Sequence, residues 1–211
     1  MRDQDFSYFI EKFGEATSSV TVPEKSIIKW KGVLPDKLLD YWKTEGWGRY
    51  RDGLFNLVNP EEYDDILDIW LEDTPFEELD SYHVIARTAF GDLYAFGEST
   101  GRNITVMPLL NRLIFNERNF IKKTADVLDS EIVSFLASSS QKRFDLIDDN
   151  DNYLFDKAIK KLGALADNEM FGLEPAYVLG GHLQLENLSK LDCRIHLMIL
   201  RELSSPEIIR F

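Results

Sequence analysis

The segment Gly97–Gly101 reads Gly-Glu-Ser-Thr-Gly and matches the Gly-x-Ser-x-Gly pattern that surrounds the nucleophile of many hydrolases. In those enzymes the serine occupies a sharp turn between a strand and a helix, which exposes its Oγ atom to the substrate. Here strand-like alternation precedes the segment in residues 93–96, and residues 103–107 continue as another strand. The sequence therefore predicts a hairpin loop at Gly97–Gly101 and not a catalytic serine.

Three histidines and one cysteine are the other side chains that could act as bases, nucleophiles or metal ligands. His83 lies in a strand-like run and is expected to be packed there. His182 follows two glycines, which allow close approach of the backbone, so it is the histidine that we single out for a functional contact. Cys193 and His196 could meet on one helix face, but no third group is identifiable that would orient them as nucleophile and base. We expect Cys193 to be a buried thiol.

An aspartate-rich stretch at residues 145–156 invites comparison with a calcium loop. Counted from Asp149, the sixth position of such a loop requires glycine and the twelfth requires a bidentate acid, but Leu154 and Lys160 stand there. No histidine pair has the spacing of a helical zinc motif, and no glycine-rich phosphate loop occurs. The sequence therefore predicts no metal, no cofactor and no catalytic residue.

A second acidic stretch lies at residues 61–68, on a predicted helix. Like charges four residues apart destabilise a helix by about 0.2–0.5 kcal/mol per pair, although acids near its first turn are favoured by the helix dipole. A negative face that is kept for a basic partner is the functional interpretation. From the two stretches we select these candidate partner-binding residues: Glu61, Glu62, Asp65, Asp68, Asp145, Asp148, Asp149 and Asp151.

Charge is the strongest signal in the composition. Asp and Glu number 37 against 24 Lys and Arg, which gives a net charge of -13. A surface of this kind repels phosphate backbones and anionic lipids, so neither nucleic acid nor a membrane is an expected partner. It attracts a basic protein and speeds the encounter with it. Solubility alone also accounts for an acidic surface, so charge by itself does not assign a function.

The rest of the composition bounds the fold and the compartment. Hydrophobic residues make up 44% of the 211 residues and aromatics 12%, which is enough for a packed core. No apolar run is long enough to span a bilayer, and no signal peptide is readable near residue 1. Because Cys193 is the single cysteine, an internal disulfide is excluded. We expect a protein that stays in a reducing cytoplasm.

Apolar spacing and turn residues predict an α+β fold, in which helices flank an antiparallel β-meander and the C-terminal part is mainly helical. The first helix is expected to begin at Asp5 and to stop at Gly14. The polar run 138–142 is a loop or linker, and 188–203 is predicted to be a last helix, although its apolar run is also compatible with a strand. Helices are predicted over residues 5–15, 35–46, 60–71, 120–124, 129–136 and 153–162, and strands over 49–51, 54–58, 82–90, 93–97, 103–107 and 112–115.

Several of these segments resemble a known pair of domains. Residues 6–14 and 34–48, with their aromatic helix, Leu-Pro start and Gly-Trp-Gly end, resemble the GAD-like domain, and residues 84–93 resemble its Ala-Phe-Gly-Asp signature. Residues 172–181 and 186–203 resemble the C-terminal domain that accompanies it in type VI secretion immunity proteins. The resemblance implies a GAD-like domain at 1–118 and a C-terminal immunity-type domain at 119–211, packed closely together.

The resemblance further implies a non-catalytic immunity protein that binds a cognate toxin one to one and covers its active or substrate-binding region. Such proteins are commonly paired with nuclease toxins, so a DNase is the expected partner. The resemblance does not identify the residues that contact the toxin, because immunity surfaces differ with each toxin. Two other functions stay open: a regulatory module that holds a small ligand in the loop 172–182, and a hydrolase that uses His182 with nearby acids.

Overall fold

An eight-stranded sheet is the centre of the fold, with the strand order β1-β2-β3-β4-β5-β6-β7-β10. The computed structural model describes residues 2–116 and 120–210. Its strands are β1 (Ser18–Val20), β2 (Trp47–Tyr50), β3 (Phe55–Leu57), β4 (Tyr82–Thr88), β5 (Leu93–Gly97), β6 (Gly101–Met107), β7 (Arg112–Phe115), β8 (Glu169–Leu173), β9 (Leu188–Asp192) and β10 (Glu207–Arg210). Its helices are α1 (Gln4–Phe13), α2 (Glu24–Trp30), α3 (Asp36–Glu45), α4 (Asp64–Leu71), α5 (Ala125–Ala137), α6 (Gln141–Phe144), α7 (Phe155–Leu162) and α8 (Cys193–Leu203).

Strands β1 to β7 pair with their neighbours in antiparallel fashion, which confirms the predicted meander and the α+β class. The last strand, β10, adds to β7 in parallel, so a C-terminal segment completes a sheet built from the first half of the chain. Strands β8 and β9 form a separate antiparallel pair. The predicted domain boundary at 118/119 lies outside the described residues, and the division into two domains stays a prediction.

The ends of α1 and α3 show how local sequence sets helix boundaries. The carboxylate of Asp3 accepts a hydrogen bond of 2.8 Å from the Phe6 amide, so Asp3 is the N-cap and the prediction of Asp5 was wrong. Asp5 instead lies in the first turn, where the helix dipole also favours an acid. Gly14 ends α1 as predicted. Gly46 ends α3 at φ 75°, where a Cβ atom would collide with the Val20 carbonyl.

Two other predictions failed or were incomplete for a tertiary reason. Residues 120–124 form no helix, because the ring of Phe120 instead packs against Phe76 and Phe115, with centroids 5.5 and 5.6 Å apart. The segment 188–203 is a strand and then a helix, and the switch occurs where the Asp192 carboxylate caps α8 by accepting from the Ile195 amide at 3.0 Å. The short helices α2 and α6 and the strands β1, β8 and β10 were not predicted.

An aromatic cluster around Phe55 joins helices from both halves of the chain. The Phe55 ring on β3 stacks on Phe144 of α6 at 4.6 Å, and it meets Phe9 of α1 at 5.4 Å and Phe135 of α5 at 6.0 Å. All four rings are buried. Because a single side chain is shared by α1, α5 and α6, these helices are packed around one point of the sheet.

Within residues 2–116 and 120–210, no helix is both long and apolar enough to cross a bilayer.

Replacement of Phe55 by alanine is expected to lower the free energy of unfolding by about 3–5 kcal/mol, because it removes the ring that α1, α5 and α6 share. Urea denaturation followed by tryptophan fluorescence and by circular dichroism would measure the loss. Tyr8→Ala, which truncates an exposed ring on α1, is the matched control and should cost less than about 1 kcal/mol. A loss for Phe55→Ala no larger than that of the control would contradict the shared cluster.

Candidate functional site

The acidic candidates at 61–68 lie just before α4 and along it, and two of the four form ion pairs within the chain. Glu61 forms an ion pair with Lys29. Asp65 accepts hydrogen bonds of 3.2 and 2.8 Å from the Arg194 guanidinium, which lowers the pKa of Asp65. Partial burial raises the pKa of the Asp68 carboxyl, and the neighbouring aspartates of α4 raise it further. The side chains of Glu62 and Asp68 are exposed and form no ion pair among the described residues.

Of the four candidates at 145–151, two accept hydrogen bonds from nearby backbone amides and two are exposed to solvent. Asp145 accepts from the Leu154 and Phe155 amides at 3.2 and 2.8 Å and so holds the start of α7; burial nonetheless raises its pKa. Asp148 accepts from backbone amides of its own turn, which lowers its pKa. Asp149 and Asp151 are exposed. Among the described residues, no hydrogen bond or ion pair joins this set to the set on α4.

A cleft of about 560 Å³ lies beside α4 and holds His83 at its edge. The Nδ1 atom of His83 is 3.5 Å from a carboxylate oxygen of Asp64, and its Nε2 atom is 3.0 Å from one of Glu98. The edge of the ring also packs on Trp30 at 4.7 Å. Burial by itself lowers the pKa of His83, but the two carboxylates outweigh it and the pKa is raised. His83 thus ties α4 to β4 and to the turn after β5, which confirms that it is packed.

The structure does not assemble a hydrolase site at the serine motif. Gly97 ends β5 and Gly101 begins β6, so the motif is the predicted hairpin loop. The amides of Ser99 and Thr100 donate to the Asp80 carboxylate at 2.9 and 2.7 Å, which pins the turn. His182 is exposed and its Nδ1 atom is 3.7 Å from Asp149, too far for a hydrogen bond.

The remaining candidates for chemistry are packed. Cys193 is buried as expected, and burial raises the pKa of its thiol, so the reactive thiolate is disfavoured. Among residues 2–116 and 120–210, no three His, Cys, Asp or Glu side chains cluster in a way that could hold a metal ion.

An apolar groove of about 400 Å³ runs between α8 and the segment 173–179. Large side chains that line it are well exposed: Ile195 at 60%, Leu179 at 62%, Ile199 at 45% and Leu203 at 40%. The charged residues along the groove are Glu174 and Asp192, both acidic. The full lining comprises Leu173, Glu174, Pro175, Ala176, Leu179, Leu191, Asp192, Ile195, His196, Ile199, Leu200 and Leu203.

His196 is the one polar side chain of the groove lining that is itself buried, at 9% exposure. Its Nε2 atom has no hydrogen-bond partner among the described residues, and burial lowers the pKa of the ring, which favours the neutral form. The ring lies against Gly172, where a side chain would collide with it. The groove therefore offers apolar contact and two acidic groups, while the unpartnered Nε2 atom of His196 is buried against Gly172.

Two stretches of the chain match known protein families. The GAD-like domain model matches residues 4–110, about half of the chain, and the chain belongs to the GAD-like family. The model of the C-terminal domain of the type VI secretion system immunity protein Tdi1 matches residues 129–204. The chain thus combines a GAD-like region with a C-terminal region that matches that of a type VI secretion immunity protein, as the resemblance implied, and the whole groove lies inside this second match.

One solved structure supports the fold across the full length. The crystal structure of Atu4351 from Agrobacterium tumefaciens superimposes with a TM-score of 0.84 at 22% sequence identity, covering 97% of this chain and 92% of that one. At this identity the likeness establishes the fold alone. No curated protein matches the chain.

Sequence reasoning selected acidic residues and missed the groove. A signal was present, because the segment 193–203 carries apolar residues on two sides: Leu197 and Leu200 on one, Ile195 and Ile199 on the other. Helical spacing alone does not say which of these sides packs against the protein. The structure buries Leu197 and Leu200 and exposes Ile195 and Ile199.

Replacement of His83 by glutamine is expected to cost about 1 kcal/mol of stability in acid and less in alkali. Because the folded-state pKa of His83 is raised above its usual value of 6.5, its ion pairs stabilise the fold fully below about pH 6.5 and are lost as the pH rises through the folded-state pKa. Thermal unfolding at about pH 5.5 and about pH 9 would measure the difference between wild type and variant. The exposed His182→Gln is the control; an unchanged difference across the two pH values would refute the ion pairs.

Proposed function

We propose that this immunity protein acts by binding its cognate type VI toxin one to one and covering the active or substrate-binding region of that toxin. It works in the cytoplasm of the toxin-producing bacterium, without a cofactor and without a catalytic step of its own. The match of residues 129–204 to the Tdi1 immunity domain carries the proposal. The wrong context of the serine motif and the burial of the Cys193 thiol agree with it, because neither offers an activated nucleophile.

We propose that the toxin is a DNase. A nuclease must hold a phosphate backbone and therefore carries a basic surface. The net charge of -13 would steer this chain towards such a surface and away from the nucleic acid itself. Glu62, Asp149 and Asp151 supply exposed acidic groups for that steering. The acids that are engaged internally, such as Asp65 and Asp145, add to the long-range field without being free for contact.

A regulatory module that binds a small ligand is the second candidate. The groove of about 400 Å³ beside residues 173–179 favours it, because small-molecule sites have volumes in this range. A ligand site usually encloses most of its ligand, whereas Ile195 and Leu179 stay about 60% exposed here. That exposure suits a macromolecular partner better than a small ligand. A hydrolase has less support, because His182 and Asp149 are 3.7 Å apart on the open surface.

Co-expression with the protein encoded next to this gene tests the proposed function. The two chains are expected to co-purify with one-to-one stoichiometry, and cells that express the neighbour should survive only when this chain is present. Size-exclusion chromatography with light scattering would measure the stoichiometry, and DNA degradation in the unprotected cells would identify a DNase. A neighbour that neither binds nor is neutralised would reject the proposal.

Charge reversal at exposed acids is expected to slow association more than it speeds dissociation. The double variant Glu62→Lys/Asp149→Lys should lower the association rate constant by about tenfold at low salt, because it weakens electrostatic steering. Stopped-flow or biosensor kinetics at two salt concentrations would measure it. Glu11→Lys, an exposed acid on α1, is the single-site control for a change in net charge. Rates that do not respond to salt or to the double variant would remove steering from the mechanism.

A further inference from the structure

We propose that the groove between α8 and residues 173–179 is the docking surface for the toxin, and that it takes an amphipathic helix of the toxin with an apolar stripe flanked by lysine or arginine. This inference rests on the proposed function, since it assumes that the partner is a cognate toxin. It replaces the acidic stretches as the short-range contact surface and leaves them the role of long-range attraction.

The spacing of the exposed side chains on α8 favours a helical occupant. Ile195, Ile199 and Leu203 stand four residues apart, so they form one stripe about 12 Å long on the solvent face of α8. Leu179 faces them from the other wall of the groove. Two apolar walls with a channel between them are what an amphipathic helix occupies when its apolar face enters a groove.

The stripe cannot be buried by rotation of α8, because the opposite side of this helix is held. The Trp70 indole of α4 donates to the Leu197 carbonyl at 3.2 Å. The Arg201 guanidinium donates to the carbonyls of Ile69 and Glu72 at 3.0 and 3.1 Å. Arg194 is paired with an aspartate of α4. Both arginines of α8 are thus used on the α4 side, and no lysine or arginine lines the groove among the described residues.

Charge selects the kind of partner. Glu174 and Asp192 are the charged residues that line the groove within the described chain, and both are acidic. A second copy of this chain would bring a net charge of -13 against another -13, which opposes self-association at this surface. A segment with flanking lysines or arginines would instead meet complementary charge. The occupant is therefore a basic amphipathic helix and not a copy of the chain.

His196 is the polar side chain among the buried residues of the groove lining. Its side chain is buried to more than nine-tenths, and its Nε2 atom lacks a hydrogen-bond partner among the described residues. A buried nitrogen without a partner is costly, and such groups are usually satisfied by a ligand or by water. Because the Nε2 atom itself has almost no exposed surface and lies against Gly172 of β8, a bound helix would contact the apolar lining of the groove and not this nitrogen.

No Trp, Tyr or Phe side chain lines this groove among the described residues. Trp70, Tyr82 and Phe171 are buried, and Trp47 is half-buried. Tight interfaces usually depend on a few bulky side chains that fill a pocket on the partner. This chain supplies the pocket, so the bulky anchors come from the toxin.

The double variant Ile195→Glu/Ile199→Glu tests the groove. The probe is a catalytically inactive form of the protein encoded next to this gene, and the dissociation constant is measured by calorimetry or a biosensor. The variant should raise it by about 100-fold, because two central apolar contacts are replaced by charges. Ile28→Glu places the same charge on an apolar side chain of α2 that is 67% exposed, and should change it by less than about twofold. Ile195→Ser/Ile199→Ser is a milder second variant, with about a tenfold loss expected.

The outcomes separate the groove from the proposed function. Wild-type binding that both double variants leave unchanged, in folded protein, would overturn the groove and leave the immunity function intact. A wild-type chain that does not bind the neighbour would reject the function and the groove together. A wild-type dimer that Ile195→Glu/Ile199→Glu dissociates, or a bound small molecule found by native mass spectrometry, would assign the groove to another occupant and overturn the proposal.

A photo-crosslinking residue at position 179 identifies the toxin segment that enters the groove. The crosslinked peptide is expected to come from an amphipathic helix with lysine or arginine at its flanks. A crosslink to a strand or to an acidic segment, or no crosslink in a complex that forms normally, would contradict the inference even if the toxin binds.

Discussion

The docking of α8 on α4 is the constraint that decides which surface this protein presents. The buried indole of Trp70 donates a hydrogen bond to a backbone carbonyl in the middle of α8. The Arg194 and Arg201 side chains form further hydrogen bonds to α4 near the two ends of α8. An indole that loses its partner in the interior leaves a costly unpaired donor, so the rotational setting of α8 is strongly held. The consequence is that Ile195 and Ile199 face solvent beside a groove.

Charge and apolar surface have separate roles in this molecule. Asp145 and Asp148 hold the turn before α7, and Asp65 holds α8, so much of the acidic sequence stabilises the chain itself. The net charge of -13 still acts at long range on a basic partner, whichever residues carry it. Contact at short range needs surface that is apolar and open, and the groove on α8 has both properties.

The two family regions are joined by more than chain connectivity. The Phe171 amide on β8, in the C-terminal match, donates to the Ala89 carbonyl of the GAD-like match at 2.8 Å. The Phe55 cluster places α5 and α6 on the same sheet as α1. The groove on α8 is therefore supported by elements of the GAD-like region. A binding surface on a rigid support loses less conformational entropy when a partner docks.

The sequence by itself determined those strands and helix ends whose signals lie within a few neighbouring residues. Alternating apolar residues at 82–115 predicted β4 to β7, and the start at Pro35 and the stop at Gly46 bounded α3, because period and backbone preference act within a few residues. The sequence also predicted the context of the serine motif: strand-like segments on both sides of Gly97–Gly101 indicated a hairpin loop. Family resemblance, not composition, indicated the immunity function.

Tertiary structure alone decided that Phe120 docks on other rings instead of starting a helix, that β10 joins the sheet, and which apolar side of α8 is buried. Each of these depends on a partner far away in the chain, and a helix with two apolar sides does not specify which one that partner covers.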